Sequence, residues 1–117
     1  MMKFVSPSQR APRYFEKADG SSFLPIGLNL CFLRDSESRK EAEVLETFRF
    51  WMTEFARNGG NFIRVWLGVP FFDIMPDRPG QYSEKNLSHI RFIVDLAEKL
   101  GIRIKFTLEH FRRIGYG

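Results

Sequence analysis

Asn61-Phe62-Ile63-Arg64-Val65-Trp66-Leu67 is a run of aromatic, β-branched and aliphatic residues broken by a single cation. Gly59-Gly60 punctuates its start, Gly68 and Pro70 close it, and helical periodicities flank it on both sides. The pattern predicts a buried parallel strand. A guanidinium inside such a strand costs several kcal/mol unless carboxylates or a wet site receive it. Arg64 is therefore the residue from which the rest of the chain is read.

The helix expected before this strand opens at Ser38, which with Glu41 fits a capping box, and runs to about Arg57, with Gly59 as the stop. Leu45, Phe48, Met52 and Phe55 recur at helical spacing, widened by Val44, Trp51 and Ala56, so one broad face is core. A second helix is expected from Ser83, with Leu87, Ile90, Ile93, Val94, Ala97 and Leu100 on its apolar face and Gly101 at its end. Upstream, Pro25 to Leu30 reads as a first core strand in which Gly27 and Asn29 share a face. Downstream, Ile102 to Leu108 reads as a third. Between Arg13 and Leu24, two short runs flank Asp19-Gly20 and predict a hairpin. Residues 1–12 show no periodicity and are expected to be a flexible lead-in.

At 117 residues, with 44% hydrophobic and 27% charged residues, the chain has the size and composition of one soluble α/β domain. Its net charge of +4 comes from scattered bases, so no nucleic-acid partner is expected. The single cysteine, Cys31, excludes an internal disulfide and reads as a small core residue. Cys31, His89 and His110 lack ligand spacing, so neither a metal nor another cofactor is expected. No stretch has the length of a secretory signal or a membrane span, which predicts a cytoplasmic chain with no membrane partner.

Two successive βαβ units open either a doubly wound sheet or an eight-stranded β/α barrel. Three features favour the barrel: no Gly-x-Gly-x-x-Gly follows the first strand, the hairpin is suited to plug a barrel bottom, and polar residues end the strands. A full barrel takes about 250 residues, so the expected fold class is α/β, the N-terminal portion of an incomplete (β/α)8 TIM barrel.

Phe15-Glu16 to Asp19-Gly20, Phe23-Leu-Pro-Ile-Gly-Leu-Asn29, Gly60-Asn-Phe-Ile-Arg64-Val-Trp66, and Ala97 to Gly101 leading into Lys105-Phe-Thr-Leu-Glu-His110 carry a resemblance. In that order and spacing they resemble the N-terminal part of a cellulase-like or mannanase-like glycoside hydrolase, of the β/α-barrel clan that cleaves β-glycosides with retention. The resemblance makes residues 13–117 the first β/α units of such a barrel. It implies an Arg64 that points inward and supports the nucleophilic carboxylate. Trp66 then lies nearer the catalytic mouth, as a sugar platform or as packing. Asn29 either lines the pocket or bonds loop backbone. His110 is similar to an active-site histidine that ends the third strand. The common pattern places an Asp two residues before that histidine, whereas here Leu108 stands there with Glu109 between, so Glu109 and His110 are pocket residues or strand-end hydrogen-bonding groups.

The resemblance also implies β-linked oligo- or polysaccharide as the substrate of a completed barrel, and two catalytic carboxylates ending the fourth and seventh strands, both beyond Gly117. No catalytic residue is thus assigned, and the chain alone is expected not to hydrolyse glycans. Glu41, Glu43, Glu46, Asp95 and Glu98 belong to solvated helix faces by their spacing. In the loop from Gly68 to Tyr82, Phe71, Phe72 and Tyr82 either stack on sugar rings or cover apolar surface. Two alternatives remain. One is a barrel sugar isomerase or aldolase, against which the mid-strand position of Lys105 speaks; the other is a non-catalytic binding or assembly unit whose exposed edges on the first and third strands recruit another copy or the rest of a barrel.

Overall fold

A computed structural model describes residues 4–108. Six strands and two long helices follow one another: β1 (Ser6–Pro7), β2 (Phe15–Glu16), β3 (Ser22–Phe23), β4 (Gly27–Asn29), α1 (Glu41–Arg57), β5 (Phe62–Trp66), α2 (Glu84–Leu100) and β6 (Arg103–Thr107). The first three strands make a small antiparallel sheet, and the last three make a parallel sheet in the order β4-β5-β6. The hairpin forms where Asp19-Gly20 predicted it, with Phe15 opposite Phe23. The lead-in is partly ordered, since Ser6–Pro7 pairs with β2 and the buried Ser8 donates its N–H to Tyr14 O.

Both helices end as their glycines dictate. Gly59 (φ +88°) and Gly101 (φ +73°) sit in the left-handed region, where an L side chain is disfavoured. Each termination makes the same pair of bonds: Gly59 N–H to Ala56 O and Gly60 N–H to Phe55 O after α1, Gly101 N–H to Glu98 O and Ile102 N–H to Ala97 O after α2. Ser83 caps α2, its Oγ accepting from Asn86 N–H. The capping box expected at Ser38 and Glu41 does not form. Ser38 lies instead in a 3-10 turn over Ser36–Ser38 and donates its hydroxyl to Asp35 O, leaving Lys40 at the helix start without a side-chain cap. Glu41 and Glu43 in the first turn complement the helix dipole in its place.

Alternation along β5 divides the parallel sheet into two faces. Ile63 and Val65 are fully buried and join Val44, Phe48 and Met52 of α1 and Ile93, Leu96 and Ala97 of α2 in one cluster, so both helices cover the same face. Each of these side chains larger than Ala97 contributes about 1.5 to 3 kcal/mol by leaving water. Phe62, Arg64 and Trp66 point to the opposite face.

Asn61, which opens the predicted strand, clasps the two sheets together. Its Oδ1 accepts from Ile26 N–H at 2.7 Å and its Nδ2 donates to Leu24 O at 2.9 Å.

Candidate active-site face

Parallel register sets which side chains share the face turned away from the helices. Asn29 pairs with Arg64, and Arg64 with Lys105; one step along the strands, Trp66 pairs with Thr107. Register neighbours in a sheet point the same way. The face therefore presents a row Asn29–Arg64–Lys105 with Trp66 and Thr107 beyond it at the carboxyl ends of the strands.

Arg64 is half-buried and held from two directions. Its Nε donates to Thr107 Oγ1 at 3.1 Å, and its guanidinium carbon lies 5.3 Å from the Trp66 ring centroid. A cation–π contact of this kind is worth about 0.5 to 2 kcal/mol according to its exposure. No ion pair joins Arg64 or Lys105 to an acid among the described residues. Trp66 in turn packs against Phe32, ring centroids 5.6 Å apart and tilted by 38°. The Trp66 backbone N–H donates to Cys31 O, which brings the loop after β4 against the end of β5. Cys31 is buried, and burial pushes its thiol pKa up while the nearby Arg64 charge pulls the other way. Its place is packing, beneath an exposed Phe32.

The loop after β5 is anchored rather than open. Phe72 has no exposed surface and packs edge-on against Phe48 (5.4 Å) and Phe71 (5.1 Å). Phe71 stacks flat on the buried His89 ring, 3.9 Å between centroids and 5° between planes. Of the three aromatics considered for sugar stacking, Phe72 thus has no face to offer and Phe71 presents its ring to His89. Only Tyr82, 60% exposed, stands free to meet a ligand from this loop. Two polar side chains of α2 bind the loop backbone: Asn86 Nδ2 donates to Pro70 O and Asp73 O, and His89 Nδ1 lies 2.8 Å from Phe71 O.

His89 Nε2 faces Glu41 Oε1 at 2.9 Å, and Lys85 Nζ stands 3.7 Å from Glu41 Oε2. Glu41 is thus more than a solvated helix acid. The His89 hydrogen bond, with smaller help from the His89 and Lys85 charges, holds its carboxyl below the ordinary range against the opposing effect of desolvation. The sequence signal missed here was a histidine on the apolar side of α2, which requires a partner when buried.

Among the described residues, no group of three or more His, Cys, Asp and Glu side chains converges as a metal site would. No helix among them is long and apolar enough to cross a membrane. Glu109 and His110 lie outside the described residues.

No family model and no curated protein matches the chain. A solved structure does: an exo-beta-1,4-mannosidase from an Opitutaceae bacterium superposes over 89% of the chain with a TM-score of 0.61 and 24% identity. The chain spans 17% of that enzyme's length. The likeness establishes a shared α/β fold, the chain superposing on a minor portion of that larger enzyme.

Proposed function

We propose that the chain is the opening of a (β/α)8 barrel of a glycoside hydrolase that acts on β-linked glycans, and that the face bearing Asn29, Arg64 and Trp66 becomes its interior. The observation that supports this most is the asymmetry of the parallel sheet. One face is packed by both helices, while the other presents Asn29, Arg64, Lys105 and Thr107, side chains that no covering helix layer would tolerate unpaired. A doubly wound sheet requires apolar residues on both faces; a barrel requires them on one and admits a polar, ligand-binding interior at its carboxyl end.

In this reading Arg64, fixed by Thr107 and Trp66, supports a carboxylate supplied from elsewhere in the barrel, and Trp66 with Phe32 forms the floor on which a sugar ring stacks. Asn29 hydrogen-bonds to the sugar or to adjoining loop backbone. Retaining hydrolysis needs two carboxyl groups about 5 to 5.5 Å apart. The face contains none among its described side chains, so in this reading it binds glycan and leaves cleavage to carboxyl groups from elsewhere in the barrel.

Titration of the chain with mannotriose and cellotriose, followed by tryptophan fluorescence, tests this. Saturable quenching that Trp66→Ala abolishes while Trp51→Phe preserves it is the expected result. Quenching by neither sugar would remove the glycan-binding face. Hydrolysis of either sugar above background would overturn the absence of a catalytic pair.

A second reading, assembly through open edges, is supported by a different feature. Along the free edge of β6 runs an apolar groove of about 560 Å³ touching Phe15, Phe23, Val94 and Phe106, and beside β4 another of about 610 Å³ touches Leu28, Phe32, Phe50 and Phe55.

A further inference from the structure

The cations of the inner face exceed what the proposed catalytic role uses. Arg64 has an assigned partner in that reading, a carboxylate of the barrel, but Lys105 has none. It is exposed, sits beside Arg64 in register, and makes no ion pair among the described residues. Strands lie about 4.8 Å apart, so the two positive side chains start as immediate neighbours. Like charges directly opposed across strands destabilise a sheet. An anion between them removes that penalty and gains two charge-assisted hydrogen bonds.

The surroundings say what kind of anion fits. Two residues along β6 from Lys105 stands Thr107, paired with Trp66, a rise of about 6.6 Å that a lysine stem spans. A ring resting on Trp66 and Phe32 thus lies within reach of the Lys105 ammonium as well as beside the guanidinium of Arg64. An aromatic platform, an amide at Asn29, a fixed guanidinium and a mobile ammonium are together a recognition set for a sugar that carries a carboxylate. A neutral hexose uses the platform and the amide and leaves the Lys105 ammonium without a counter-charge. The chain's net charge of +4 acts in the same direction, attracting a polyanionic glycan over distance.

We propose that this face selects acidic, uronate-containing glycans, with Lys105 the specificity-determining residue that pairs with the sugar carboxylate. The proposal deepens the glycan-binding reading of the same face and rests on it. A carboxylate reaching Lys105 has two sources, a uronate or an Asp or Glu side chain from another part of a longer chain, and the two respond differently to added sugar acid.

The test is calorimetric titration of the chain at low salt with β-1,4-linked trimannuronate and with β-1,4-linked mannotriose, which differ only in the sugar carboxylates. Trimannuronate is expected to bind about two- to five-fold tighter than mannotriose, the size of one exposed ion pair, and Lys105→Gln to remove that advantage. Lys99→Gln, which deletes the same charge from the last turn of α2, is expected to leave it intact. Equal or tighter binding of mannotriose overturns the acidic selectivity and leaves the glycan-binding face standing. An equal loss in Lys105→Gln and Lys99→Gln overturns it in favour of net charge. Absence of saturable trimannuronate binding, the result expected if Lys105 awaits a side-chain carboxylate, overturns it as well.

Discussion

Phe72 and Tyr82 belong to the same loop and looked alike as sugar-stacking candidates, yet burial separates them. Phe72 has no exposed surface and bridges Phe48 to Phe71, so Phe72→Ala is expected to cost about 3 to 5 kcal/mol in urea denaturation. Tyr82→Ala, at a 60% exposed site, should change stability by no more than about 0.5 kcal/mol. A loss below about 1 kcal/mol at Phe72 would mean that the loop does not pack as described. Arg64 poses the opposite case. Arg64→Met removes the like-charge opposition to Lys105, a relief of roughly 0.2 to 1 kcal/mol that offsets the lost Thr107 bond and the lost guanidinium contact with the Trp66 ring. Its thermal midpoint should therefore stay within a few degrees of the parent while glycan binding falls, a separation that a merely structural arginine would not show. The position of Arg64 was legible from sequence because one cation in an apolar strand is conspicuous. The burial of Phe72 was not, because an aromatic in a Pro-rich loop has no periodicity from which its direction can be read.

At the scale of elements, boundaries marked by local chemistry were readable and clasps between distant residues were not. Gly59, Gly101 and Ser83 act within a few residues of themselves, and the helices stop or start where they stand. Asn61 reaches Leu24 and Ile26 across more than thirty residues, and His89 reaches Phe71 and Glu41 on two other elements, so neither left a pattern along the chain. The His89 contact joins the start of α1, the loop after β5 and α2 in one place. It predicts a pH dependence through Glu41, whose carboxyl is held below its ordinary value by His89. A lowered folded pKa gives stability that is present above the unfolded value, about 4.3, and is lost as pH falls through the folded one. Melting curves from pH 6 downward should accordingly show the parent losing its advantage over Glu41→Gln as the acid range is entered. Parallel pH profiles for the two proteins would show that the pair contributes nothing. His89→Leu should cost about 1 to 3 kcal/mol at neutral pH by leaving Phe71 O without its donor.

For the molecule as a whole, the consequence of the fold lies in what its sheet leaves open. β4 and β6 each have a single neighbour, and both flanks are apolar where α1 and α2 overhang them. Ile26, Leu28 and Val94 are 51%, 39% and 39% exposed, a placement that water alone does not stabilise. The two successive βαβ units followed from sequence, but the order β4-β5-β6 and the common side of the helices did not, because a second right-handed crossover can equally step back past the first strand. What covers the edges did not, because an unpaired edge looks locally like a paired one. If the rest of a barrel normally covers them, the isolated chain should self-associate with increasing concentration in sedimentation velocity, through the edges and not through the charged face. Val94→Lys together with Leu28→Lys should then return it to a monomer, since charge on both flanks opposes edge pairing, while Lys105→Gln should not. A chain that stays monomeric at high concentration with both edges bare would count against the incomplete sheet and favour a small, self-sufficient binding domain. Association that persists in the doubly charged variant would place the contact elsewhere, on the face that bears Trp66 and Arg64.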